Sequence, residues 1–286
     1  MTALDLSTLH SRLVAKAPLI QNITNTVVQE FTANVLLAIG ASPAMLDHEA
    51  DAGQFAGIAD AILINFGTAT NHQLLAADAA INVAHALNKP WVLDPVSVGV
   101  ISFRTSRIRL AAACQPTAVR GNASEIMALA EMGPGGRGVD SADEVDAALP
   151  AAVRLAKSTG GVVAISGARD AVVAVFEDRV QVARIAGGHE LMQRVVGTGC
   201  SLGAVTAAYL AAQRDANGIR LASDFEATIA AHTHFALAGK AAAEKASSPG
   251  SYAVAFLDSL YAFKSEDMAR AQVSIETHTL AAFNSM

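Results

Sequence analysis

The chain has 286 residues, of which 52% are hydrophobic, 16% charged and only 5% aromatic. A charged fraction well below the roughly 25% of ordinary globular proteins, with a mean hydropathy of +0.36, excludes a disordered chain and predicts a large buried core. Twenty basic against twenty-six acidic residues give a net charge of −6 with no basic stripe, which argues against a nucleic-acid partner.

Met1 to Ala17 carries Asp5, His10, Arg12 and Lys16 at helical spacing, with no small-residue cleavage site after an apolar run, so it does not read as a secretory signal. Short apolar or β-branched runs then follow at Leu19 to Asn22, Ala61 to Asn65, Trp91 to Asp94, Ala118 to Arg120 and Val162 to Ser166. Ala- and Leu-rich helical segments separate them, among them Val27 to Ile39, Thr70 to Leu87 and Ser124 to Met132. Cys114, near the end of an Ala-rich helix, reads as a core residue. Ala171 to Phe176 and Arg179 to Ala186 flank the polar pair Glu177-Asp178 as a hairpin. From Gly199 onward the pattern is helical throughout, in Thr198 to Gln213, Ser223 to Ala246 and Gly250 to Phe263, with a turn at Asp215 to Gly218.

This order predicts an α/β fold, with a mostly parallel central sheet, helices on both faces and a C-terminal helical segment. No linker or composition break interrupts it, so residues 1–286 read as a single domain. Val195 to Gln213 is the longest uncharged stretch, but it is rich in Ala and opens on glycines, which suits a buried helix better than a membrane span. The two cysteines, Cys114 and Cys200, make no disulfide framework and suit a reducing cytoplasm.

In open α/β sheets ligands bind beyond the carboxyl ends of the strands. Those ends are unusually polar here: Asn22 to Asn25, Asn65 to Thr68, Asp94, Arg120 to Glu125, Ser166 and Gly197 to Cys200. Gly133 to Gly138 matches G-x-G-x-x-G but follows a helical pattern, whereas a dinucleotide fingerprint must follow a strand; it reads as a surface loop. No P-loop motif occurs. Gly197-Thr198-Gly199-Cys200 opens a helix and is either an anion site, with backbone amides and the positive dipole end facing a ligand, or an ordinary helix start with Thr198 as N-cap. Asn122 and Glu125 form either a capping box or, through Glu125, part of an oxygen site for magnesium. Asp94, followed by Pro95, is a turn former or a second such carboxylate. His232 and His234 lie two apart on a predicted helix and point to different faces, so they read as ordinary polar positions rather than a metal pair.

Taken together, Pro18 to Asn25, Gly40 to Met45, Leu93 to Gly99, Arg120 to Glu125 and Val196 to Cys200 resemble the hydroxyethylthiazole kinases of thiamine salvage, within the ribokinase-like superfamily. The resemblance covers nearly the whole chain and implies a ribokinase-like three-layer sandwich. It implies phosphorylation of the hydroxyl of 4-methyl-5-(2-hydroxyethyl)thiazole by ATP with Mg2+, in a homotrimer with active sites between subunits. Met45 and Gly197 would contact the thiazole, with Asn25 in the same pocket. Arg120 and Ser166 would contact ATP, and Asp94 and Glu125 would surround magnesium. Many relatives in the superfamily carry an aspartate base where Cys200 stands.

A helix N-terminus lowers a thiol's pKa, so some thiolate is expected at Cys200. Its roles are then orienting the alcohol, accepting its proton, or, as the bland alternative, filling space. Two other activities fit parts of the pattern. A dehydratase of hydrated nicotinamide cofactors would be expected to carry aspartate at position 200, and a non-catalytic nucleotide-binding regulator would not need Asp94, Glu125 and the anion site together.

Overall fold

The computed structural model describes residues 4–133 and 142–283. Its first half alternates helix and strand: α1 (Leu6–Lys16), β1 (Leu19–Ile23), α2 (Gln29–Ala38), β2 (Ser42–Ala44), α3 (Ala52–Ile58), β3 (Ala61–Asn65), α4 (Asn71–Ala86), β4 (Trp91–Asp94), α5 (Ser102–Ala113) and β5 (Ala118–Asn122). Three helices, α6 (Ala123–Leu129), α7 (Ala142–Ala147) and α8 (Leu149–Thr159), lead to β6 (Val162–Ser166), then to the hairpin β7 (Arg169–Phe176) and β8 (Arg179–Ala186). The chain closes with α9 (Thr198–Ala212), α10 (Asp224–Ala243), α11 (Pro249–Ala262) and β9 (Gln272–Thr279).

Among the described residues nine strands form one sheet in the order β2-β1-β3-β4-β5-β6-β7-β8-β9. The pairs from β2 to β6 are parallel and those from β6 to β9 antiparallel. All five residues of β3 are buried, as expected of a parallel strand covered on both faces. Side-chain alternation divides that strand between two cores. Ala61 and Leu63 pack with α1, α2, α9, α10 and α11, whereas Ile62 and Ile64 pack with the cluster built on α3 to α8. The result is a three-layer α/β sandwich. No helix among the described residues is long and apolar enough to cross a membrane.

Small residues set how closely the layers approach. Nearly every residue of α9 is buried, and a Cβ added at Gly203 would stand 2.9 Å from Leu63 Cδ1 on β3. Glycine is the residue that lets α9 lie this near the sheet.

The structure departs from the sequence-based expectation at four places. Strands β2 and β9 were not expected. The first has only three residues and carries Pro43, tolerated because β2 is an edge strand. The second falls in the stretch expected to be helical, yet pairs with β8 along its full length, Gln272 to Thr279. Cys114 is exposed, not core, because it caps α5 at the surface. His232 and His234 are both completely buried. Of the Gly133 to Gly138 segment, Pro134 to Gly138 lie outside the described residues.

His234 belongs to an interior polar cluster between α1 and α10. Its Nδ1 is 3.0 Å from the Tyr209 hydroxyl, its ring centroid is 4.9 Å from that of His10, and His10 Nδ1 is 2.9 Å from Ser265 Oγ. Burial pushes both imidazoles below the ordinary histidine range, so folding favours their neutral forms. Since the unfolded chain binds these protons more readily, the stabilisation is complete above the unfolded pKa, about 6.5, and is lost as pH falls through the lowered folded values. The melting temperature should therefore drop on acidification from roughly pH 6.5 to 5, and His234→Phe should flatten that dependence. Equal slopes for both proteins in a thermal-shift titration would remove His234 as a cause.

Candidate functional site

A parallel sheet delivers the carboxyl ends of its strands to one edge, and here each of five adjacent strands brings one polar side chain there. Asn25 follows β1, Asn65 ends β3, Asp94 ends β4, Arg120 lies on β5 and Ser166 ends β6. Asn65 and Asp94 are direct register partners. A continuous series of contacts joins all five. Asn25 Nδ2 donates to Asn65 Oδ1 at 3.1 Å, and Asn65 Nδ2 donates to Asp94 Oδ2 at 2.9 Å. Arg120 Nη1 is 3.8 Å from that same Asp94 oxygen, and Arg120 Nε and Nη2 donate to Ser166 Oγ at 3.1 and 2.7 Å. Asn25, Asn65, Asp94 and Arg120 are all buried, so their mutual bonding offsets a desolvation cost that each alone could not bear.

The near end of the series meets α9. Asn25 Nδ2 also lies 3.4 Å from Cys200 Sγ. Gly197, the N-cap of α9, has φ = 94°, a left-handed conformation in which glycine is unstrained, and a Cβ there would come within 3.0 Å of Phe31. Thr198 is not the N-cap. Its hydroxyl instead donates backward to the carbonyls of Met192 and Val195, at 2.8 and 3.2 Å. No side chain caps this helix, which leaves first-turn amides for a ligand. The Arg120 guanidinium adjoins the same turn, because a Cβ at Gly199 would meet Arg120 Nη1 at 3.2 Å.

Glu125 makes the capping box: Asn122 Oδ1 accepts from Glu125 N, and Glu125 Oε2 accepts from Asn122 N, each at 2.9 Å. Its Oε1 accepts from Ser97 N at 3.2 Å. The capping role and a place beside Asp94 coexist, since both carboxylates line one cavity of about 790 Å³. Arg120, Ser166 and Gly197 to Cys200 line it too. Asp94 Oδ1 is buried and has no partner, an orphaned anionic oxygen of the kind a hard cation satisfies. Among the described residues no three acidic, histidine or cysteine side chains gather as a metal cluster. Two carboxylates nevertheless fit magnesium, which is commonly held by one or two of them together with phosphate and water oxygens. Met45 follows edge strand β2, is half-buried, and is not among the lining residues.

Electrostatics correct one expectation. Burial, reinforced by the Asp94 charge, pushes the Cys200 thiol up to about 11, despite opposing effects of Asn65, Arg120 and Asn25. The helix terminus contributes about 0.3–1 kcal/mol, less than the cost of burying a thiolate. Cys200 is therefore a protonated thiol at neutral pH, not the partly ionised one expected. Asp94 is raised to about 7, chiefly by burial and further by Glu125, with Arg120 and the Asn65 hydrogen bond opposing.

Sequence reasoning placed Asn65 among the polar strand ends but gave it no role, although it is the second link of the series, between Asn25 and Asp94. It also set aside His232, which pairs with Asp170 on the wall of the same cavity. Only the fold brings those two together.

The chain is similar to known proteins along most of its length. Residues 10–266 match the model of the hydroxyethylthiazole kinase family. A hydroxyethylthiazole kinase of Corynebacterium glutamicum is 54% identical over 244 residues, covering 85% of this chain and 88% of that protein. One from Klebsiella pneumoniae is 49% identical over 249 residues, 87% and 92% of the two chains. Among solved structures, the hydroxyethylthiazole kinase protein of Pyrococcus horikoshii aligns with a TM-score of 0.82 at 32% identity, over 96% of this chain and 98% of the other. Staphylococcus aureus pyridoxal kinase, in complex with AMP-PCP and pyridoxal, aligns at 0.59 and 16% identity over 91% and 99%, and shares the ribokinase-like fold.

The protonation state of Cys200 has a direct chemical readout. At pH 7 iodoacetamide should modify exposed Cys114 and leave Cys200 largely intact, as followed by peptide mass spectrometry. Equal labelling rates would restore the thiolate.

Proposed function

The chain belongs to the hydroxyethylthiazole kinase family, and on that premise we propose that it transfers the γ-phosphoryl group of ATP to the hydroxyl of 4-methyl-5-(2-hydroxyethyl)thiazole. It is an enzyme, a phosphotransferase. The reading takes residues 1–286 as a single cytoplasmic kinase domain serving thiamine salvage. The observation that carries it is the polar series from Asn25 to Ser166, which runs beside the uncapped start of α9; Asp94, Arg120 and Ser166 line the cavity, and Asn25 and Asn65 stand behind that lining.

Arg120 and Ser166 bind the nucleotide phosphates, and the Gly197, Thr198, Gly199 and Cys200 amides stabilise negative charge on the phosphoryl group in transfer. Gly197, Asn25 and Met45 hold the thiazole alcohol. Cys200 and Asn25, in contact with each other, orient the hydroxyl. The alcohol oxygen bonds to the γ-phosphorus as the bond to the β–γ bridging oxygen breaks, and ADP leaves with that electron pair. The transition state is loose and little base strength is needed, so the hydroxyl proton passes to a phosphate oxygen or to water and Cys200 stays a thiol. Asp94 and Glu125 would hold magnesium, which when bound supplies neutralisation of phosphate charge.

The assembly in this reading is a homotrimer with active sites between subunits. The position of Met45 supports it: the residue stands outside the cavity, at the end of edge strand β2, where a neighbouring subunit would complete the alcohol pocket.

An ADP-release assay tests the reaction. Release should require the thiazole alcohol and be weaker with the pyrimidine alcohol of the same pathway; equal release without any alcohol would refute a kinase. For the metal, Glu125→Gln should raise the magnesium needed for half-maximal rate by about tenfold or more. Glutamine still completes a capping box, so a loss of folding rather than of magnesium dependence would return Glu125 to capping alone. Cys200→Ser should keep kcat within about tenfold, whereas deleting a catalytic base costs roughly 10²–10⁴-fold.

A further inference from the structure

The cavity wall includes an interacting pair of titratable side chains that the transfer does not use. His232, on α10, is completely buried, and its Nδ1 stands 2.6 Å from Asp170 Oδ2. Its other ring nitrogen, Nε2, is buried without a partner. A carboxylate can only accept, so Nδ1 donates. Burying an imidazole with one nitrogen unsatisfied carries a cost that an apolar side chain of similar size would avoid. Stability alone thus gives little reason for histidine at this position, and the bond to Asp170 supplies one.

Asp170, the second residue of β7, has a side chain 15% exposed and faces the cavity. Its Oδ1 accepts from the Gly167 amide at 2.9 Å. Gly167 directly follows Ser166, whose hydroxyl accepts both bonds from Arg120. The carboxylate therefore stands between a fixed interior helix and the strand end that bears Ser166. Without His232, that carboxylate would be free to turn toward solvent or toward the cavity and release the Gly167 amide.

We propose that the Asp170–His232 pair positions the Ser166–Gly167 strand end to receive the nucleotide, and so sets nucleotide affinity rather than the rate of transfer. The proposal rests on the assignment of Ser166 and Arg120 to ATP. Contacts made equally with bound nucleotide and with the transition state appear in KM and not in kcat. His232 and Asp170 are positioning residues.

Four variants test this: His232→Leu, His232→Asn, Asp170→Ala and Ser166→Ala. Loss of a hydrogen bond to a charged group should raise the nucleotide KM about tenfold or more in His232→Leu and Asp170→Ala, with kcat and the alcohol KM changed far less. His232→Asn, whose amide can occupy the place of Nδ1, should restore the nucleotide KM. Asp170 lies at the cavity wall, so its variant reports even if His232→Leu fails to fold. Hydrogen exchange at the Gly167 amide gives a readout independent of activity: it should accelerate in His232→Leu and Asp170→Ala and return to normal in His232→Asn. Unchanged exchange overturns the proposal. If Ser166→Ala leaves the nucleotide KM unaltered, the ATP assignment is wrong instead. If Ser166→Ala raises it while His232→Leu and Asp170→Ala do not, the assignment stands and the positioning role is refuted.

Discussion

Asp94 is a carboxylate with no solvent exposure at the end of the fourth strand, and the polar edge of the sheet is organised around the need to accommodate it. An isolated ionised carboxylate cannot be buried in apolar surroundings without several kcal/mol of penalty. Asn65 answers with a hydrogen bond from the register-paired position on β3, and Arg120 answers from β5 with opposite charge. Those partners are then constrained in turn, Asn65 by Asn25 and Arg120 by Ser166. The Arg120 contact, at 3.8 Å, is longer than a hydrogen bond, and Asp94 keeps one oxygen unsatisfied. The site is thus a network completed on most sides and left open on one.

Much of this was legible in the sequence because parallel strands announce themselves simply. Covered on both faces, they are short apolar runs, and the first polar residue after each run marks the ligand edge. Asp94, Arg120 and Ser166 are found in that way, Glu125 and Gly197 to Cys200 stand out instead as helix-start patterns, and all of them converge on one cavity. The edge strands were hidden by the opposite circumstance. Gln272 to Thr279 offers only Val273 and Ile275 as apolar residues and packs one face, so its alternation is faint among the helices before it. His232 and His234 were misjudged for another reason. Helical spacing tells which residues share a face, but α10 is surrounded on nearly all sides, and both faces are interior.

Cys200 shows where local pattern and environment give opposite answers. A helix start raises the expectation of a reactive thiolate, and the local geometry is as expected: Gly197 is left-handed and the helix begins beside it. Burial decides the outcome, since the macrodipole is a surface-scale effect whereas desolvation grows with depth. The thiol resembles its neighbours Asn25 and Asn65, neutral groups that orient, more than it resembles a nucleophile. Charge at this site resides in Asp94, Arg120 and Glu125, and the residues nearest the acceptor alcohol in the proposed reaction are uncharged.

The close seating of α9 on β3 at Gly203 also bears on the chemistry. Gly203 lies six residues beyond Gly197, about 9 Å along a helix that rises 1.5 Å per residue, and an added methyl group there would press on Leu63 and stand 3.7 Å from the Asp94 carboxylate. Helix and carboxylate thus share a spacer whose thickness is that of a hydrogen atom. The distance between the amides at the head of α9 and the charge they face is gauged mid-helix, so the fit between donor and acceptor is machined at a position that touches neither.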